Sequence, residues 1–111
     1  MDFPDDDNGD VFRRMQVSGF DFTVPPDVEF FAAFPTEANA DAVAMMFVAD
    51  RDAGKLLVNI ETRPSHRGGM SLQLVRRLRL THAGVTAFER LFRQRTELQG
   101  GALDGWGVLR A

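Results

Sequence analysis

The chain has 111 residues and a formal net charge of −3 at pH 7. This length is typical of one domain that buries one hydrophobic core, and the weak acidity disfavours nucleic-acid binding over the whole surface. The absence of cysteine excludes disulfides and thiolate zinc sites. Because the sequence has neither a run of about 18 apolar residues nor a signal peptide, we expect a cytoplasmic protein that does not enter a membrane.

The first half of the chain predicts a helix, a strand and a second helix. Consecutive aspartates suit the positive start of a helix over residues 5–18, and Gly19 can end it in the left-handed conformation. Residues 28–34 are rich in β-formers and apolar on nearly both faces, which is typical of an inner strand. Thr36 can cap a second helix over residues 37–49. The apolar stripe of this helix consists of Ala38, Ala42, Met45, Met46 and Ala49, widened by Val43 and Phe47.

The second half predicts a β-hairpin, a helix and a last strand. Apolar and polar residues alternate over residues 55–63 and again over residues 71–80, with a glycine-containing turn between them. Thr81 can cap the third helix, and Gly100 can end it. A short strand is predicted over residues 106–109. The apolar stripe of the third helix consists of Val85, Phe88, Leu91, Phe92 and Leu98.

Without the first helix, the order of elements is β-α-β-β-α-β, the split-βαβ or ferredoxin-like arrangement of an α+β fold. In this topology the first strand lies inside the sheet, next to the third, and both crossover helices cover one face. The opposite face would expose Phe31, Leu57 and Val75, an apolar patch that the first helix, a partner protein or a second copy could cover. Arg76 falls on the inward register, which predicts either a bulge or a place at the sheet margin beside an acidic residue.

No cluster of residues predicts a catalytic, cofactor or metal site. The aspartate-rich start does not fit the EF-hand spacing, so we interpret it as a helix start that complements the macrodipole, or as a docking surface for an arginine-rich partner. His66 and His82 have no second metal ligand nearby in the sequence and no accompanying nucleophile. RNA binding is disfavoured because Phe31 is the one clear aromatic candidate on the open sheet face and no RNP motif occurs.

Asp104, Gly105, Trp106 and Gly107 form the most distinctive motif of the C-terminal half. On physical grounds the tryptophan fills the end of the core, while the glycines permit a tight turn or a close backbone approach. With this motif and the opening FPDDDNGDVFRRM, the chain resembles the family of the regulator of ribonuclease E activity B. The segments PPD, VEFFAAFP and THAGVTAFERLF, and the glycine pair before DGWG, extend the similarity over almost the whole chain.

The resemblance implies a ferredoxin-like sandwich without enzymatic chemistry. Well-known members of the family bind the non-catalytic scaffold region of ribonuclease E and reduce its cleavage of some RNAs. Carried over to this chain, the resemblance implies a protein-binding regulator of RNA degradation whose acidic surface contacts a basic, disordered partner. The contacts expected on this basis are Asp5, Asp6, Asp7 and Asp10, with DGWG either structural or a further contact. The alternative is a structural domain that self-associates through the predicted apolar patch.

Overall fold

The computed structural model describes residues 4–54, 57–66 and 68–109. These ranges contain three helices and four strands. In order, they are α1 (Asp7–Val17), β1 (Asp27–Phe34), α2 (Glu37–Asp52), β2 (Asn59–Pro64), β3 (Met70–Arg77), α3 (His82–Leu98) and β4 (Ala102–Val108). Within the described ranges, no helix combines the length and the apolar character that crossing a membrane requires.

The four strands form one antiparallel sheet in the order β2-β3-β1-β4. This order confirms the predicted ferredoxin-like α+β arrangement, with β1 at an inner position between β3 and β4. The register sets Phe30 opposite Leu74 on one side and opposite Trp106 on the other. Alternate residues of β1 therefore point into the core, and the buried set is Val28, Phe30, Ala32 and Phe34.

Each helix begins at the side-chain cap that its sequence supplies. The cap accepts a hydrogen bond from the backbone N–H three residues later, which satisfies one of the donors left free at a helix start. The pairs are Asp6 with Gly9 at 2.7 Å, Thr36 with Asn39 at 3.2 Å and Thr81 with Gly84 at 3.0 Å. Gly19 follows α1 with φ +79, so the predicted left-handed stop is present.

Several predicted element ends differ from the observed ones. The helix α2 continues past residue 49 to Asp52, because Asp50 forms an ion pair with Arg95 of α3 and the left-handed stop comes only at Gly54, with φ +93. The strand β4 begins at Ala102, well before residue 106, because a β-bulge lets the glycine-rich segment pair with β1. The hairpin strands β2 and β3 are both shorter than predicted, and residues 55 and 56 of the predicted strand lie outside the described ranges.

The predicted apolar stripes were partly wrong. On α2 the buried residues are Ala40, Val43, Ala44 and Phe47, whereas Met45 is 62% exposed. The large Phe47 ring decides which face is buried, because its burial outweighs that of alanine and methionine side chains at competing positions. On α3 Leu98 is exposed, since the inward positions recur at Val85, Phe88, Phe92 and Thr96 and position 98 lies off that line.

Arg76 lies on the core face of β3 without a bulge in its pairing to β1, and it stands opposite Val28. Its guanidinium carbon is 5.1 Å from the centroid of the Phe88 ring. The charge is therefore accommodated over an aromatic face, with the stem of the side chain covering apolar surface. The sequence predicted either a bulge or an acidic partner, and the structure shows this contact with Phe88 in place of either one.

The helix α1 packs on the same side of the sheet as α2 and α3, beside α3 and over β4. Its residue Phe12 is fully buried, with ring centroids 5.8 Å from Trp106 and 6.0 Å from Phe22. The helix thus extends the helical layer, and it does not cover the opposite face of the sheet.

Candidate partner-binding site

The acidic motif at the start of α1 has a backbone that tolerates little variation. Asp6 caps the helix, and the Asp6 N–H donates to the Pro4 carbonyl at 3.0 Å. A Cβ atom built on Gly9 would lie 1.7 Å from the same carbonyl oxygen, so any side chain at this position would force the two segments apart. Glycine at position 9 is therefore a packing requirement of the turn that precedes the helix.

Asp6 also connects α1 to α3. The His82 Nε2 atom lies 3.0 Å and 2.9 Å from the two carboxylate oxygens of Asp6, and His82 occupies the first position of α3. The hydrogen bond from the Gly9 N–H lowers the pKa of Asp6 below its ordinary value, and the contact with His82 lowers it further. The ionised carboxylate therefore stabilises the join between the two helix starts.

Asn8 brings the acidic motif together with the DGWG motif. The Trp106 Nε1–H donates to Asn8 Oδ1 at 2.9 Å, and Asn8 Nδ2 donates to Glu89 Oε1 at 2.5 Å and to Thr86 Oγ1 at 3.3 Å. One side chain of α1 thus holds both α3 and β4. The two most specific stretches of the resemblance are parts of one hydrogen-bonded cluster, although they are separated by almost the whole length of the chain.

The DGWG motif directs the tryptophan into the core. Phe31 pairs with Gly105 and Ala32 pairs with Leu103, which leaves Asp104 as an extra residue in β4. Gly105 has φ +119, a conformation that residues with a side chain rarely adopt. The bulge keeps both Leu103 and Trp106 on the core face and leaves Asp104 exposed.

The four aspartates fall into two classes. Asp6 is used by the helix cap, and Asp10 forms an ion pair with Arg13 on the same helix. By contrast, the Asp5 side chain is fully exposed and its carboxylate lies 4.0 Å from the Arg13 guanidinium, the far limit of an ion pair, and Asp7 is exposed within the first turn of α1. Asp5 and Asp7 are therefore the two of these aspartates that neither cap a helix nor form a close ion pair among the described residues.

Of the three residues of the predicted patch, Phe31 and Val75 share the face of the sheet opposite to Phe30 and Leu74. Val75 is 5% exposed, and Leu57, which precedes β2, packs against the core. Phe31 is half-buried. Polar side chains pair around it on this face, and the pairs are Glu29 with Gln73, Asp27 with Arg77 and Glu61 with Arg63.

The described residues show no group of three or more His, Cys, Asp or Glu side chains that could hold a metal ion. His66 lies exposed in the hairpin turn. His82 contacts Asp6, and neither histidine lines the groove described below.

A groove that the sequence did not indicate runs along the C-terminal half of α1. It has a volume of about 680 Å³, and we refer to it as the α1 groove. It is lined by Val11, Arg14, Met15, Ser18, Gly19, Phe20, Pro26, Val108 and Leu109. The groove is lined by segments that are far apart in the sequence. The periodicity of one helix cannot predict where such segments meet.

The sequence of the chain matches a known protein family over most of its length. The family described as "Regulator of ribonuclease activity B" matches residues 5–108, which include the acidic motif, the DGWG motif and every helix and strand described above. No curated protein sequence matches the chain.

Proposed function

We propose a mode of action from one premise, that this chain belongs to the regulator of ribonuclease activity B family. The chain binds a ribonuclease, with ribonuclease E as the expected partner, and changes the rate of RNA cleavage without catalysing a reaction itself. It acts in the cytoplasm, where RNA, the substrate of the ribonuclease, is found. The family match supports the regulatory role, and the further steps rest on the chemistry of the described surface.

The observation that supports this proposal is that the four aspartates differ in the partners of their carboxylates. Asp6 and Asp10 bind groups of their own chain, and Gly9 and Asn8 fix the position of the turn. This framework presents the carboxylates of Asp5 and Asp7 to solvent at a fixed place on the surface. Exposed carboxylates on a rigid base can attract an arginine-rich or lysine-rich segment, and such attraction mainly raises the association rate and the selectivity.

The test is capture of the ribonuclease from native cell extract by the tagged chain. The double variant Asp5→Asn, Asp7→Asn removes two reachable charges and leaves the helix cap intact. We expect its affinity for the captured ribonuclease to fall roughly three- to tenfold, since each exposed charge pair contributes about 0.2–1 kcal/mol. The double variant Asp41→Asn, Asp52→Asn is the matched control, because it removes two exposed carboxylates from α2.

Two results would contradict the proposal. The first is that no ribonuclease is captured by the unmodified chain under conditions in which the chain is folded. The second is that the α2 control loses as much affinity as the variant at positions 5 and 7. This result would show that affinity depends on the net charge of the chain and not on the position of the carboxylates.

Self-association through the open sheet face is the second candidate, because the half-buried ring of Phe31 lies on that face. The paired polar groups around this ring make the surface less apolar than the sequence suggested. Sedimentation over a range of concentrations decides between the candidates. A dimer that the substitution Phe31→Ser abolishes would support self-association, and a monomer at all concentrations would exclude it.

A further inference from the structure

The α1 groove has the dimensions and the lining of a binding site. Its volume of about 680 Å³ falls within the range of roughly 300–1,000 Å³ that is common for ligand sites. Most of its wall is apolar, with contributions from Met15 of α1, from Phe20 and from Val108 at the end of β4. Leu109 lies at its rim and is 42% exposed.

One charged side chain, Arg14, lines this groove among the described residues. Arg14 is exposed, and no described carboxylate pairs with it, whereas the neighbouring Arg13 pairs with Asp10. A second depression of about 430 Å³ continues past Arg14, and its lining adds Val17, which is 89% exposed, and Arg13, which is paired with Asp10. Apolar surface thus extends on both sides of one unpaired guanidinium.

We infer that the α1 groove binds an apolar segment of a partner protein that carries a carboxylate among its apolar side chains. This inference rests on the proposed function, since it takes the partner to be a protein. Apolar side chains of the segment fill the groove beside Met15 and Phe20. The carboxylate pairs with Arg14, whose planar guanidinium can donate two parallel hydrogen bonds.

The charge of the groove argues against other occupants. A second copy related by twofold symmetry would bring the same lining against itself, and this lining contains no acidic residue that could pair with Arg14 of the other copy. Nucleic acid and an anionic membrane both require several cations on one surface, and the described lining offers one. A segment with apolar anchors and a negative charge matches both features of the groove.

The experiment uses two synthetic amphipathic peptides with the same leucine positions, one with glutamate and one with lysine at the polar positions. Each is titrated into the ¹⁵N-labelled chain, and amide shifts are followed by NMR. We expect the acidic peptide to shift the amides of Val11, Met15, Val108 and Leu109, and the basic peptide to bind at least about fivefold more weakly. The substitution Arg14→Glu should reverse this preference.

Two matched controls separate a specific site from general effects. Arg90→Glu reverses an exposed arginine of α3 outside the groove and should leave the preference unchanged. Leu109→Ser should weaken binding of the acidic peptide, whereas Val24→Ser, at an exposed apolar residue elsewhere, should not. Failure of Arg14→Glu to reverse the preference, or a concentration-dependent dimer that occupies the groove, would overturn the inference. Capture of the ribonuclease is scored separately, so the groove can fail while the proposed function stands.

Discussion

At the scale of single residues, Asn8 is the side chain on which most long-range order at the start of the chain depends. It accepts from the indole of Trp106 and donates to Glu89, so it joins α1 to β4 and to α3 at once. When a partly buried donor loses its acceptor, the free energy of unfolding falls by more than the hydrogen bond contributed, because the donor is left unsatisfied.

The substitution Asn8→Ala should lower the free energy of unfolding by about 1–3 kcal/mol, because it leaves the Trp106 N–H without its acceptor. Urea unfolding followed by the fluorescence of the single tryptophan measures this loss. The control is Asn39→Ala in the first turn of α2, where the side chain has no described hydrogen bond, and the expected change is within about 0.5 kcal/mol. Equal losses in the two variants would show that Asn8 has no special role.

The stability of the chain should depend on pH through Asp6. The Gly9 N–H and His82 lower the pKa of Asp6 in the folded state, so its contribution is full above the pKa of the unfolded chain and is lost as the pH falls through the folded value. Asp6→Asn keeps a good helix cap but removes the charge. The variant should be less stable than the natural sequence at neutral pH, and the difference should shrink as the pH falls through the lowered pKa of Asp6. A difference that persists unchanged in acid would contradict this account.

The residues that were predicted well obey local rules, and those that were missed depend on distant ones. Thr36 and Thr81 were predicted as caps because a short oxygen side chain three residues before a free N–H is enough, whereas for α1 the sequence predicted an aspartate-rich start and the structure identifies Asp6 as its cap. The pairing of Asn8 with Trp106 has no local signature, since the two residues are 98 positions apart. The same holds for the position of Arg76 over Phe88, because only packing of α3 on the sheet brings the ring there.

At the scale of elements, β4 depends on the bulge at Asp104 and Gly105. Without the extra residue, Leu103 and Trp106 could not both face the helices, since successive strand residues alternate between the two faces. The sequence predicted a strand only over residues 106–109 and interpreted the glycines as permitting a tight turn or a close backbone approach. The structure shows a different role, in which the glycines allow pairing to continue.

Gly105→Ala should therefore cost about 1–3 kcal/mol, because alanine is strained at φ +119. Gly107→Ala is the matched control in the same strand. Its φ is not positive, and a Cβ there would lie 3.9 Å from the Glu29 carboxylate, which is an ordinary contact. We expect a change within about 0.5 kcal/mol for that variant. Thermal and urea unfolding of both variants measure these changes. A larger loss of stability in Gly107→Ala than in Gly105→Ala would contradict the role given to Gly105.

The contact between α2 and α3 includes an ion pair that is largely shielded from water. Arg95 and Asp50 lie 2.8 Å apart with side chains 20% and 17% exposed, and the guanidinium also stacks over Phe47. Asp50→Asn should destabilise the fold by about 1–3 kcal/mol, because Arg95 then loses its carboxylate partner while remaining mostly buried. Asp52→Asn, in an exposed pair with Arg51, should change the free energy of unfolding by less than about 0.5 kcal/mol. Equal losses of unfolding free energy in the two variants, measured by urea unfolding, would contradict this prediction.

The identity and order of the elements could be predicted from the sequence, but the faces of the helices could not. Strand alternation and helix caps are sufficient to give β-α-β-β-α-β after one extra helix. On α2, alanine and methionine occur at helical spacing on more than one face, so periodicity alone did not select the face that carries Phe47. The α1 groove was missed for a related reason, since it forms only where α1, the segment after it and β4 meet.

At the scale of the whole molecule, α1 is the element that is added to the ferredoxin-like arrangement, and both proposed contact surfaces belong to it. The reachable carboxylates of Asp5 and Asp7 lie at its start, and the α1 groove with Arg14 lies along its other half. The polar side chains of the opposite sheet face pair with one another. In the proposed function, α1 thus has two roles, since it contributes Phe12 to the core and carries the surfaces proposed to contact a partner.

The most direct test of this account is the initial rate of RNA cleavage by purified ribonuclease E as the folded chain is added. We predict a rate that falls as the chain is titrated in, with the variant Asp5→Asn, Asp7→Asn requiring roughly three- to tenfold higher concentrations for the same reduction. A rate that does not change at any concentration of the chain, or a variant as effective as the natural sequence, would contradict regulation through this acidic surface.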